Sequence, residues 1–231
     1  PLNYFYEHRR DQIFLAQHLS ALGAKKEAVA FLRTWLTFHL NQVAERSKDL
    51  RLGNILALIL FILEAVADAG EPAWAEQKLQ SYLKDVPSLE REAGDDYRYW
   101  QTVHVLACVI AKHDPDRGRE FLSQVWPEAT KPHPTYPWQN FRWLGLTPAI
   151  EASLFYDAIP FLESQMEIEI QEEKDGLDRG IYTETGFLVQ IMRTLVRMGN
   201  HKGITFALER LNSPLNLSQP LDLVVVPVFR V

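Results

Sequence analysis

Apolar positions along this chain recur at spacings of three and four, the period at which side chains share one face of a helix. Four stretches can be laid over one another. They read GAKKEAVAFLRTWL from Gly23, GEPAWAEQKLQSYL from Gly70, HDPDRGREFLSQVW from His113 and GNHKGITFALERLN from Gly199. Counting the first residue as one, position six is Ala28, Ala75, Gly118 and Ile204; position ten is Leu32, Leu79, Leu122 and Leu208. Position thirteen is Trp35, Tyr82, Val125 and Leu211. A fifth copy, SLFYDAIPFLESQM from Ser153, offers Ala158 at six and Leu162 at ten but Gln165 at thirteen.

The residues before each start align as well. Four back stand Leu19, Val66, Val109, Ala149 and Leu195; eight back stand Leu15, Ile62, Val105, Gly145 and Ile191. Each start is therefore a turn between two helices. Gly suits a helix C-terminus because it tolerates the left-handed conformation there. Pro72 and Pro115 fall just after the turn, where the first turn of a helix accepts proline. Asp114 is placed to cap the helix that follows. The spacing predicts helix pairs over 4–22 with 24–45, 49–69 with 71–86, 95–113 with 115–126, 146–152 with 154–174, and 183–198 with 201–211. An all-α fold follows, of about five stacked antiparallel hairpins in one domain spanning 1–231, either solenoid-like or an irregular bundle.

Two segments break the pattern. Residues 127–143 carry Pro127, Pro132, Pro134 and Pro137 among His133, Tyr136, Trp138, Phe141 and Trp143. Prolines exclude helix from much of that stretch, so it is expected to be a loop, with Tyr136 and Trp138 as candidate partner anchors. The alternative is that these aromatics fold back over the helices, which predicts burial of Trp138 or Trp143. Residues 221–231 read LDLVVVPVFRV, whose β-branched run favours a short extended tail and whose Pro227 confines any strand to an edge.

The units resemble α-helical hairpin repeats of the HEAT, armadillo and tetratricopeptide type. Their starts at 23, 70, 113, 153 and 199 give a length close to the roughly 40–47 residues of HEAT and armadillo units. Tetratricopeptides are shorter, and their Trp, Gly and Tyr signature is missing here. The resemblance carries over no functional residue. It implies binding of other proteins along a concave face.

Composition changes this picture little. Hydrophobic residues make up 47% of the chain, enough for a sizeable core. The apolar run Ile55–Leu63 falls far short of the ~20 residues of a membrane span, so no membrane partner is expected. The formal charge is −6 without a Lys/Arg cluster, which argues against nucleic acid. The single cysteine, Cys108, fits a reducing, cytoplasmic setting.

Charge is uneven, however. Between Glu151 and Glu184, ten acids (Glu151, Asp157, Glu163, Glu167, Glu169, Glu172, Glu173, Asp175, Asp178 and Glu184) meet only Lys174 and Arg179. Such a run is either a solvated helix face or a docking surface for a basic partner. Glu163, Glu167, Glu169, Glu172, Glu173 and Asp175 are the partner-binding candidates. Alternation of Glu167, Ile168, Glu169 and Ile170 locally mimics a strand.

For catalysis, Trp100, His104 and Cys108 share one helix face by their spacing of four. A Cys–His pair can ligate zinc or form a nucleophile. Its neighbours are aliphatic, so a buried, unreactive thiol is expected. No second cysteine completes a zinc set, and no Glu-x-x-His pair marks a di-iron centre. No cofactor or metal is expected. The reading is a protein-binding protein, most concretely a bacterial immunity protein that neutralises a basic toxin domain. An adaptor or chaperone with a peptide groove, and a helical enzyme with a pocket near His104, are the alternatives.

Overall fold

The computed structural model describes residues 13–45, 52–85, 97–131, 141–178 and 186–211. Among these, 89% are α-helical and none is in a strand, so helix exceeds half of the whole chain, as the periodicity predicts. Helix α1 covers residues 13–21, followed by α2 (Lys25–Glu45), α3 (Leu52–Asp68), α4 (Pro72–Asp85), α5 (Tyr97–His113) and α6 (Pro115–Ala129). Two short helices, α7 (Phe141–Leu144) and α8 (Thr147–Ser153), lead through a 3-10 turn (Tyr156–Ala158) to α9 (Ile159–Asp178). Helices α10 (Gly186–Arg197) and α11 (His201–Leu211) complete the described chain.

Each predicted start is a turn, and four of the five are built alike. At the first, the N–H of Ala24 reaches back to Leu19 O (2.9 Å) and that of Gly23 to Ser20 O (3.0 Å). The same pair recurs as Glu71 to Val66 with Gly70 to Ala67, and as Asn200 to Leu195 with Gly199 to Val196. This double closure satisfies helix carbonyls that would otherwise lack partners, and it needs one left-handed residue. Gly23, Gly70 and Gly199 supply it with φ of 91°, 116° and 69°. In the fourth turn Leu154 takes that place at φ 54°, with Phe155 N–H bonded to Ile150 O. The turn residue is thus Leu154, not Ser153, and the apolar positions four and eight before it are Ile150 and Leu146.

The third turn works from the other side. It has no left-handed residue; instead the Asp114 carboxylate accepts the Arg117 N–H at 3.2 Å, capping a helix that opens with Pro115. Pro72 likewise opens α4. Pro127 lies inside the last turns of α6, and α7 begins at Phe141, so the non-helical stretch expected over 127–143 is helical at both ends. Residues 132–140, with Tyr136 and Trp138, and the tail at 221–231 lie outside the described residues.

The chain divides into two compact units, Pro1–Ala158 and Ile159–Val231. In the first, each helix packs on its neighbours in order: α2 on α3, α3 on α4, both of these on α5, α5 on α6, and both α5 and α6 on α8. One aliphatic core runs through Leu32, Leu36, Ile59, Ile62, Leu63, Val66, Leu79, Leu106 and Ile110. The apolar run Ile55–Leu63 lies in α3, in which Phe61 is the exposed exception among Leu58–Leu63. Trp143 is buried, as expected of the aromatics that fold back. Gly118 permits the closest approach: a Cβ there would lie 2.7 Å from Ala111 Cα and 3.2 Å from Ser153 Cβ. In the second unit α9 packs on α10 and α10 on α11, around Leu162, Met166, Leu188, Ile191, Met192 and Leu195.

The last hairpin departs from the alignment by one residue. Gly203, not Ile204, faces the partner helix, with a would-be Cβ 2.5 Å from Leu195 Cβ. Ile204 and Leu208 are exposed instead. No described helix is long and apolar enough to cross a membrane.

Candidate functional site

Helix α9 carries the acidic candidates. Its sequence places Leu162, Met166 and Glu169 on one stripe by steps of four and three, and all three are buried. The local alternation that mimics a strand is overridden, and the result is inverted in polarity. Glu169 turns inward while Ile168 is 46% exposed. Burial, reinforced by the nearby Glu172 charge, raises the Glu169 carboxyl above its usual range.

The remaining acids separate into two groups. Glu163 and Glu167 are engaged within the same unit. Asn200 Nδ2 donates to Glu163 Oε1 at 2.8 Å, and Lys202 pairs with Glu167 while lying 3.8 Å from Glu163 Oε2. Asn200 Oδ1 meanwhile accepts the Gly203 N–H at 2.8 Å, so one side chain both caps α11 and holds α9. The hydrogen bond to Glu167 raises the Lys202 pKa. Glu172 and Asp175, by contrast, form no ion pair among the described residues; Asp175 accepts only from Gln171 Nε2, at 2.8 Å. Glu173 is half-buried. The open face is therefore Ser164, Ile168, Gln171, Glu172 and Asp175, all exposed: an apolar residue with carboxylates one and two turns beyond it.

The sequence gives no direct sign of Asn200 and Lys202 as partners of residues some 35 positions away. One signal was available. A lysine in the first turn of α11 opposes the helix dipole, so its charge asks for an acid on another element.

Helix α5 places Trp100, His104 and Cys108 one turn apart, but their hydrogen bonds diverge. His104 Nε2 donates to Arg142 O at 2.7 Å, which leaves the proton on Nε2 and the lone pair on Nδ1. Nδ1 faces Gly145, where any Cβ would collide with the ring. Burial lowers the His104 pKa to about 4, against the carbonyl bond that raises it, so the ring is neutral at pH 7. Trp100 closes the other side, its ring centroid 6.2 Å from that of His104. The arrangement fastens α7 to α5 through His104.

Cys108 donates to Glu64 Oε1 at 3.6 Å rather than to His104. Burial first, and the Glu64 charge next, push its thiol up to about 12. The aliphatic surroundings expected from sequence neighbours are thus only half the setting. Lys112 Nζ donates to Glu64 at 2.8 Å and lies 3.5 Å from Asp68, making a charged network between α3 and α5 beside the thiol. Among the described residues no three His, Cys, Asp or Glu side chains are grouped to hold a metal ion. Compared with protein-family models, with curated proteins and with solved structures, the chain matches none.

Proposed function

We propose that this chain is a non-catalytic interaction protein that docks a basic protein partner on the outer face of α9. The observation that carries the reading is the separation of the acids on that helix. Glu163 and Glu167 are satisfied by Asn200 and Lys202, whereas Glu172 and Asp175 stand exposed beside the exposed Ile168. An apolar anchor with a charged rim is the anatomy of a docking patch. Its most concrete form is an immunity protein that covers a basic toxin domain. Within its own unit, α9 packs on α10 and α10 on α11, which would hold the patch in place.

Exposed charge chiefly steers encounter, and salt screens it with a Debye length of about 8 Å at physiological ionic strength. Reversing Glu172 and Asp175 to Lys should therefore slow association with the partner and remove most of its salt dependence. Ile168→Ala should act on dissociation instead. Stopped-flow kinetics with a basic partner recovered on the full chain as bait, run at low and high salt, tests this. Equal association rates for the wild type and the double reversal at both salts would reject the patch.

A further inference from the structure

Helix α7 is held by its side chains, not by its own length. It has four residues, Phe141–Leu144, too few to stand as a helix by themselves. Trp143 and Leu146 are buried, as is Trp100 of α5, yet none of the three belongs to the continuous aliphatic core of α2, α3, α4 and α5. His104 makes the tie. Its Nε2 donates to Arg142 O at 2.7 Å, and the Arg142 guanidinium lies 5.6 Å from the Trp100 ring centroid. Among the described residues Nδ1 makes no hydrogen bond; it faces Gly145, where a Cβ would stand 2.1 Å from it. Charged groups on the helices around α5 answer one another rather than the ring. Glu64 and Asp68 of α3 take Lys112, Glu76 of α4 takes Arg117 of α6, and Asp116 takes Arg119. Cys108, one turn along α5, is a neutral thiol, and Glu151, the acid of α8, lies more than a turn beyond Gly145. The charge that the geometry brings to this corner is the Arg142 guanidinium over Trp100, a cation, which offers an imidazolium no compensation.

We propose that α7 is an acid-released latch: a proton on His104 Nδ1 frees residues 142–146 from α5 while the aliphatic core of the unit stays folded. The proton does not break the bond to Arg142 O, for which Nε2 keeps its own hydrogen. It adds a charge and a second N–H in a slot where Gly145 presents carbon. A buried donor without an acceptor is costly, and a buried charge more so. Moving the segment aside lets solvent reach Nδ1 and uncovers Trp100. The opening is local because the segment lies outside the aliphatic core, and weakly anchored units open before the whole. The burial that lowers the ring's pKa to about 4 from an ordinary 6.5 expresses the same conflict: the freed ring binds the proton more tightly than the latched one. The inference does not depend on the docking patch of α9.

Native-state hydrogen exchange of the full chain tests it, read at the Leu146 amide, which donates to Trp143 O at 3.0 Å while the latch is closed. With those two pKa values, its protection factor should fall about twentyfold from pH 7 to pH 5, with little urea dependence. The Leu122 amide of α6 should be the more protected of the two at pH 5 and should exchange through an opening that urea promotes strongly. In His104→Gln, protection at Leu146 should change by less than about twofold over the same pH range. The other histidines remain in that variant, so it isolates the one ring. A wild-type Leu146 amide whose protection ignores pH would overturn the proposal. So would one that matches Leu122 in protection and urea dependence, since α7 would then open only as the whole unit unfolds, and so would a pH dependence that survives His104→Gln. Should circular dichroism show that this variant misfolds, the two wild-type outcomes still decide.

Discussion

The third hairpin and the last use the same local grammar to different ends. Both turn within a residue or two, both cap the second helix with a side-chain oxygen (Asp114, Asn200), and both set a glycine (Gly118, Gly203) against the first helix. Yet α6 lies against α5 and α8, while α11 has α10 as its main described neighbour. Leu122 disappears from solvent between those two neighbours, whereas Leu208, one residue out of register with it, stays half open. Positions that align in sequence thus differ in burial where a helix meets its partner one residue out of register.

The largest test of that contrast is truncation. Leu122→Ala should cost on the order of 2–5 kcal/mol, the range for a fully buried leucine that leaves a cavity. Leu208→Ala should cost clearly less, since Leu208 is half exposed and its truncation leaves no closed cavity. Urea unfolding of both variants measures the difference, and equal losses would break the comparison.

Next comes a pH effect. Because the His104 pKa is lowered to about 4 in the fold from an ordinary 6.5, the unfolded chain binds the extra proton first as pH falls. Stability from this residue is complete above about pH 6.5 and declines toward pH 4, by on the order of 3 kcal/mol. Glu169 works in the opposite direction. Its raised carboxyl pKa makes the folded state the better proton binder, so acid relieves its burial. Stability of His104→Gln against pH should be flatter than that of the wild type between pH 6.5 and 4. An unchanged slope would remove His104 from the account.

Turn chemistry gives the smallest effects. Asp114→Ala should lose about 1 kcal/mol, the usual worth of an N-cap. Leu154→Gly should do the reverse and stabilise by roughly 0.5–1 kcal/mol, because a left-handed leucine carries a steric cost that glycine avoids. Thermal or urea unfolding of the two variants decides both signs.

These contrasts also show how much a sequence can disclose. Signals that act within one turn were legible: glycine at three helix ends, Pro72 and Pro115 at two helix starts, and Asp114 as a cap. The hairpin boundaries followed from them. What depended on a distant partner was not. The alignment put the fourth turn at Ser153 because Leu154 has no glycine to announce its backbone. It placed Ile204 inward by aligning it with Ala28, Ala75 and Gly118, and could not show that in the last hairpin Gly203 takes that contact. In the acidic segment, counting charge could not reveal that Asn200 and Lys202 engage Glu163 and Glu167, or that helical geometry turns Glu169 inward and Ile168 outward. The spacing that aligned His104 with Cys108 said nothing of Arg142 O and Glu64, to which each donates instead.

Native-state hydrogen exchange compares the two hairpins most directly. If neighbours on two sides seal α6 and fewer contacts hold α11, the Leu122 and Trp126 amides should exchange only through large openings that urea promotes. Those of Phe206 and Ala207 should exchange through small openings, at least about tenfold more readily and with little urea dependence. Equal protection and equal urea dependence in α6 and α11 would contradict the account.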